Sequence, residues 1–220
     1  MCMIMLLIYL KNMSISNNND NNDLYINDIK TVLEVGPGDY NSCKSKYFWE
    51  SEVNVIIFEP NPLFYSELCF FCGKFKNVRI YNVSITNFTG CCDFIMFGQS
   101  SCVASAFSPL HLIYRGLHKE VFNKCIIPSQ CFTIDVFDIG DIDILFLDAE
   151  GCDFFVLKNL ISRPRVITIS NYNVLGFKAY LHKSIYEWFE NNNYILAERK
   201  LEVSNFVLKD RIDLKNKIIL

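Results

Sequence analysis

The stretch Thr31-Val32-Leu33-Glu34-Val35-Gly36-Pro37-Gly38-Asp39 joins an apolar run, a carboxylate and a glycine-proline-glycine turn. A second apolar run, from Val53 to Phe58, closes on Glu59. Glycines at a strand end leave backbone N–H groups bare, because no Cβ blocks a ligand's approach. A carboxylate at the end of the neighbouring strand suits the two hydroxyls of a ribose. Gly36, Pro37, Gly38 and Glu59 therefore predict a site for an adenosine-containing cofactor, at the switch point of an open α/β sheet. A dinucleotide fingerprint needs a third glycine where this chain has Asn41. An S-adenosylmethionine site has no phosphates to cradle. It wants an acidic residue two before the first glycine, facing the cationic aminoacyl end, and Glu34 stands there. Asn41 remains a candidate contact of the same loop. On this motif alone both cofactor classes stay open.

A second chemical centre follows the apolar run Ile142 to Leu147. Asp148-Ala149-Glu150-Gly151-Cys152-Asp153 places three carboxylates within six residues. Ligands of open α/β sheets bind at the carboxyl ends of strands, so Asp148 should reach the crevice that holds Gly36 and Glu59. Asp148 or Glu150 could act as a general base. For Asp153, capping the next helix and meeting its dipole is as good a reading as chemistry. His111 and His118, seven apart on one predicted helix face, are further candidates for a base.

The elements that must position these groups alternate between strand and helix, which is the pattern of a parallel α/β sheet. Strands are expected at 31–35, 54–58, 78–83, 92–97, 131–136, 142–147 and 165–170. Helices are expected at 42–50, at 63–72 behind an Asn61 cap and Pro62, at 108–122, 153–161 and 179–191. Tyr194 to Arg199 and Glu202 to Lys209 alternate at period two and read as a hairpin. A doubly wound, mostly parallel seven-stranded sheet closed by an antiparallel hairpin is the class I methyltransferase arrangement, which is Rossmann-like. A dehydrogenase would usually continue into a substrate domain, for which 220 residues leave no room. We expect residues 1–30 to be an N-terminal extension, with a flexible asparagine-rich run, and residues 31–220 to form one domain. Gly98 to Cys125 is the expected substrate lid.

Here the motifs resemble a known family. Asp148-Ala149-Glu150-Gly151-Cys152-Asp153, with Leu157 beyond, is similar to the Asp-x-Glu-Gly-x-Glu signature of FkbM-type methyltransferases. Phe58-Glu59-Pro60-Asn61-Pro62 resembles the same family's Phe-Glu-Pro-Asn-Pro, and Asn82-Val83-Ser84, followed by Thr89-Gly90 and Ser100-Ser101, resembles its middle section less specifically. The resemblance covers roughly residues 31 to 200. It implies S-adenosylmethionine as cofactor and transfer of a methyl group to a hydroxyl of a sugar, glycan or small metabolite. It also adds Pro60, Asn61 and Ser84 to the cofactor contacts, together with Asp148. Two departures are Tyr40, where the family usually has glycine, and Asn171, where an acidic residue often stands. They leave an inactive binding protein of the same fold as the alternative.

Composition sets the outer bounds. Apolar residues make up 51% and aromatic residues 15%, enough for a full core. A net charge of −3 without a basic cluster offers nucleic acid no footprint. RNA adenine methyltransferases share a similar glycine loop, but base methylation wants an Asn/Asp-Pro-Pro-Tyr-like loop in place of Asp-Ala-Glu-Gly. Ten scattered cysteines read as reduced core residues of a cytoplasmic protein, and Cys69 with Cys72 as helix packing rather than a metal site. The apolar Met1 to Leu10 is too short to span a bilayer.

Overall fold

The computed structural model describes residues 29–99, 101–104, 125–171, 183–200 and 203–211. In chain order the strands begin with β1 (Thr31–Val35) and β2 (Asn54–Phe58), followed by helix α1 (Pro62–Cys72). Next come β3 (Val78–Tyr81), β4 (Ser84–Ile85), β5 (Gly90–Ile95), β6 (Cys102–Val103) and β7 (Ile126–Phe132). The remainder is β8 (Ile144–Leu147), α2 (Asp153–Lys158), β9 (Val166–Ser170), α3 (Lys183–Asn191), β10 (Tyr194–Arg199) and β11 (Val203–Leu208).

Seven strands form the main sheet in the order β10-β11-β9-β8-β1-β2-β3. β3, β2, β1, β8 and β9 run parallel, and β11 pairs antiparallel with both β9 and β10. The predicted sheet and its closing hairpin are therefore present. Every residue of β1 and β8 is buried, as expected of strands covered on both faces. Side chains alternate between two cores. Leu33, Val35, Leu145, Leu147 and Ile167 pack with Val156, Leu157 and Phe189 on one side. Val32, Val55, Ile57, Ile144 and Phe146 pack with Trp49, Leu68 and Cys72 on the other. Each such buried aliphatic or aromatic side chain contributes roughly 1.5–3 kcal/mol of transfer free energy.

Three expectations shift. The helix expected at 42–50 is only a 3-10 turn, Ser45–Phe48. The segment before it folds around the Glu34 carboxylate, which accepts from the backbone N–H of Lys44 and Ser45, both at 2.8 Å. The strand expected to reach Val83 stops at Tyr81, where Asn82 Nδ2 donates to the carbonyls of Glu59 (2.8 Å) and Pro60 (3.0 Å). Beyond it Ser84–Ile85 starts a second, four-stranded sheet in the order β4-β7-β5-β6. In that sheet β7 covers 126–132 rather than 131–136, and Ile134–Val136 is a 3-10 turn. The added stretch includes Pro128. That proline is accommodated where β7 has only β5 beside it, since β4 pairs only with Cys131 and Phe132. The helix expected at 108–122, with His111 and His118, lies outside the described residues, as does 179–182 of the helix that ends at Asn191.

Helix α1 starts as read: the Asn61 side chain accepts from Leu63 N at 3.1 Å and Pro62 holds the first position. Loop 138–143 is set by Asp138, 1% exposed, whose carboxylate takes the N–H groups of Gly140, Ile161 and Ser162 and the Ser162 hydroxyl. No helix among the described residues is long and apolar enough to cross a membrane.

Candidate active site

Strand register decides which residues meet. Val35 pairs with Phe58 and with Leu147, Phe58 pairs with Tyr81, and Leu147 with Ile169. The residues one step further therefore stand in a row at the carboxyl ends of parallel strands: Asn82, Glu59, Gly36, Asp148 and Ser170. Backbone bonds tie that row together. Gly36 N donates to Phe58 O at 2.9 Å, Glu59 N to Tyr81 O at 3.0 Å, and Asp148 N to Val35 O at 2.9 Å.

Gly36 and Gly38 sit at φ 70° and 71°, in the left-handed region. A Cβ on Gly36 would lie 2.1 Å from the Asp148 carbonyl oxygen, and one on Gly38 would lie 2.0 Å from Gln99 Oε1. Gly36 thus permits a backbone contact that no other residue allows, while Gly38 seats the end of the Gln99 side chain. Glu59 is 3% exposed and accepts from Gly38 N at 2.9 Å and Asn61 N at 2.8 Å. Burial pushes its carboxyl up to about 8, helped by the charges of Glu34 and Asp148 and opposed by those two N–H bonds.

Asp148 is half-buried and accepts from Ser170 Oγ at 2.7 Å. Burial raises its carboxyl to about 6, with Lys44 and the Ser170 hydroxyl pulling the other way and Asp153 and Glu34 adding to the rise. Glu150 adopts φ 45°, a left-handed conformation uncommon outside glycine, asparagine and aspartate. Burial, then the charges of Asp148 and Asp153, lift its carboxyl to about 8. Asp153 holds the turn: its carboxylate accepts from Ala149 N at 2.9 Å and Gly151 N at 3.2 Å. Asp153 thus stands in the first turn of α2, where the dipole favours it, but the cap position is Cys152 and its carboxylate holds the preceding loop instead.

A solvent-open crevice lies above the row. Gly36, Gly38, Glu59, Pro60, Ser84, Asp148 and Glu150 line it, as the sequence reading requires of them. The second sheet supplies the facing wall through Phe94, Cys102 and Val103. Ser84 is paired with Ser129 Oγ at 3.0 Å. Asn61 serves the site indirectly, capping α1 and donating from Nδ2 to Ser101 Oγ at 3.3 Å.

Glu34, Pro37 and Asn41 stand outside the crevice lining. On β1, Glu34 shares the face of Val32, and its carboxylate also accepts from Cys43 Sγ at 3.2 Å. It orders the loop after the glycines rather than presenting a free carboxylate to a ligand. Pro37 is buried within the turn, and Asn41 is exposed with its carbonyl taking Lys46 Nζ at 2.8 Å. The Tyr40 ring turns away from the crevice and stacks on Phe71, centroids 4.1 Å apart. Asn171 ties strands: Nδ2 donates to Lys200 O at 2.8 Å, and Oδ1 accepts from Ser204 Oγ at 2.9 Å. Sequence reasoning missed Gln99 and Ser170 individually, because a lone amide or hydroxyl carries no motif; only the lid segment from Gly98 pointed to Gln99, while Ser101 was reached through the family's middle section.

The fold, the glycine loop and the carboxylate row meet a family. The methyltransferase FkbM domain matches residues 17–196. The chain belongs to the FkbM methyltransferases. It is thereby an S-adenosylmethionine-dependent methyltransferase by family. Similar solved structures include a TehB-like SAM-dependent methyltransferase from Corynebacterium glutamicum. That match is 12% identical over 93% of this chain and 96% of that one, with a TM-score of 0.38. A precorrin-6y C5,15-methyltransferase from Geobacter metallireducens is 13% identical over 82% and 80%, with a TM-score of 0.41. The N-methyltransferase NodS from Bradyrhizobium japonicum is 9% identical over 91% and 93%, with a TM-score of 0.38. No curated protein matches the chain.

Proposed function

We propose that this FkbM methyltransferase moves a methyl group from S-adenosylmethionine to a hydroxyl of a sugar, glycan or small metabolite. The observation that carries the reading is the convergence of Glu59, Asp148 and Glu150 on one crevice beside two positive-φ glycines. The residues present fit the cofactor. The two positive-φ glycines turn the chain tightly at the strand end beside Asp148, and Glu59 offers a buried carboxyl at the neighbouring strand end to a ribose diol. The bound cofactor supplies an electrophilic methyl group for in-line displacement.

The chain's own groups supply position and a proton acceptor. A hydroxyl is a weak nucleophile at neutral pH, so a base must take its proton as the new bond forms. Glu150 is assigned that role, held by its left-handed backbone and the Asp153-capped turn. Asp148, oriented by Ser170, positions substrate or cofactor at the next strand end. The facing wall of Phe94 and Val103 favours an acceptor with an apolar surface.

Glu150→Gln tests the assignment. It should lower turnover by 10²-fold or more while S-adenosylhomocysteine affinity stays within a few-fold, because a base acts in the transition state. Normal turnover with a lowered melting temperature would instead make Glu150 a structural residue.

A further inference from the structure

We propose that Gln99 takes the α-carboxylate of the cofactor's aminoacyl end, an inference that rests on the S-adenosylmethionine reading of this crevice. The aminoacyl end is a zwitterion, and its carboxylate needs hydrogen-bond donors. The described side chains around the crevice offer few. Glu59, Asp148 and Glu150 are acceptors when ionised, and no lysine, arginine or histidine is among the described lining residues. Ser84 is engaged with Ser129. Ser101 is engaged three ways: its Oγ donates to Gly98 O at 2.6 Å and accepts from Phe97 N at 2.8 Å and Asn61 Nδ2 at 3.3 Å.

Gln99 differs from all of these. Among the described residues no hydrogen bond holds its carboxamide, yet the group rests on the Cα of Gly38, at the place a Cβ would fill. The carboxamide therefore stands directly over the glycine loop, with two N–H donors unspent. Its backbone is fixed on both sides, by Gly98 at φ 55° and by the Ser101 bonds that reach the cap of α1. Glu34, the acidic residue that sequence placed at the aminoacyl end, is consumed by the loop. That leaves Gln99 as the polar side chain on Gly38 able to read this part of the ligand, its NH₂ meeting the carboxylate while Oε1 can accept from the ammonium.

The test is isothermal titration of the full chain with S-adenosylhomocysteine and with 5′-methylthioadenosine, which lacks the aminoacyl chain. Gln99→Ala should weaken S-adenosylhomocysteine about ten-fold or more, the scale of a charge-assisted hydrogen bond, and leave methylthioadenosine within two-fold. Retained methylthioadenosine binding also shows the variant is folded. Gln99→Glu keeps the shape but removes the donors and adds a like charge, so it should lose at least as much. Equal losses for the two ligands, or full S-adenosylhomocysteine affinity in Gln99→Glu, would overturn the assignment. A wild-type chain that binds neither compound overturns the cofactor reading itself, and Gln99's role with it.

Discussion

At Glu150 a backbone in the left-handed region and a carboxyl lifted to about 8 occur in the same residue. A non-glycine residue held there costs on the order of 1–3 kcal/mol, which the turn must offset through Asp153 and Gly151. The chemistry has a pH signature. A base works only when unprotonated, so kcat/KM should rise with pH through the Glu150 value and level off above about 8. Following S-adenosylhomocysteine formation against a panel of hydroxylated acceptors between pH 5 and 9.5 gives the profile. An ascending limb near 6 would move the base to Asp148, whose carboxyl is lifted only that far. The two carboxyls are neighbours, so the limb belongs to the pair, and Asp148→Asn should shift it downward by removing a like charge.

Between elements, the close approach of β1 to the end of β8 is what the first glycine provides. Alanine at Gly36 would drive a Cβ into the Asp148 carbonyl, which is backbone and cannot yield without separating the strands. Alanine at Gly38 meets the far end of the Gln99 side chain, which can swing aside. Both substitutions carry roughly 1–2 kcal/mol of left-handed strain, so the difference isolates the clash. Gly36→Ala should therefore lower the melting temperature by at least twice as much as Gly38→Ala, measured by calorimetry. Equal shifts would contradict the packing described for the loop. The same contrast shows how much was legible in sequence. Buried β-branched runs ending in a carboxylate announced β1, β2 and β8 to the residue or nearly so, because period and composition report burial on both faces. Strand parity was not weighed for Glu34: its distance from Gly36 suggested a ligand contact, while its face on the strand points its carboxylate toward Cys43 and Lys44. The second sheet was illegible for a different reason. Its strands are short, one carries Pro128, and their pairing is set by contacts remote in sequence.

Over the whole molecule, two sheets divide the work. The seven-stranded sheet carries the row from Asn82 to Ser170, and the four-stranded sheet closes the crevice from the opposite side with Phe94, Cys102 and Val103. The two layers face each other across the crevice, with Glu150 and Gln99 in its lining. Tyr40 and Asn171, the two departures from the family pattern, both point their side chains into packing and away from the crevice. Neither obstructs the space beside Gly36 and Gly38. The central claim, that this crevice is built for S-adenosylmethionine, is tested most directly by isothermal titration of the wild-type chain with S-adenosylhomocysteine and with NAD. The account predicts binding of one S-adenosylhomocysteine per chain, weakened ten-fold or more by Glu59→Ala, and no heat with NAD. Tight NAD binding with no response to S-adenosylhomocysteine would contradict it.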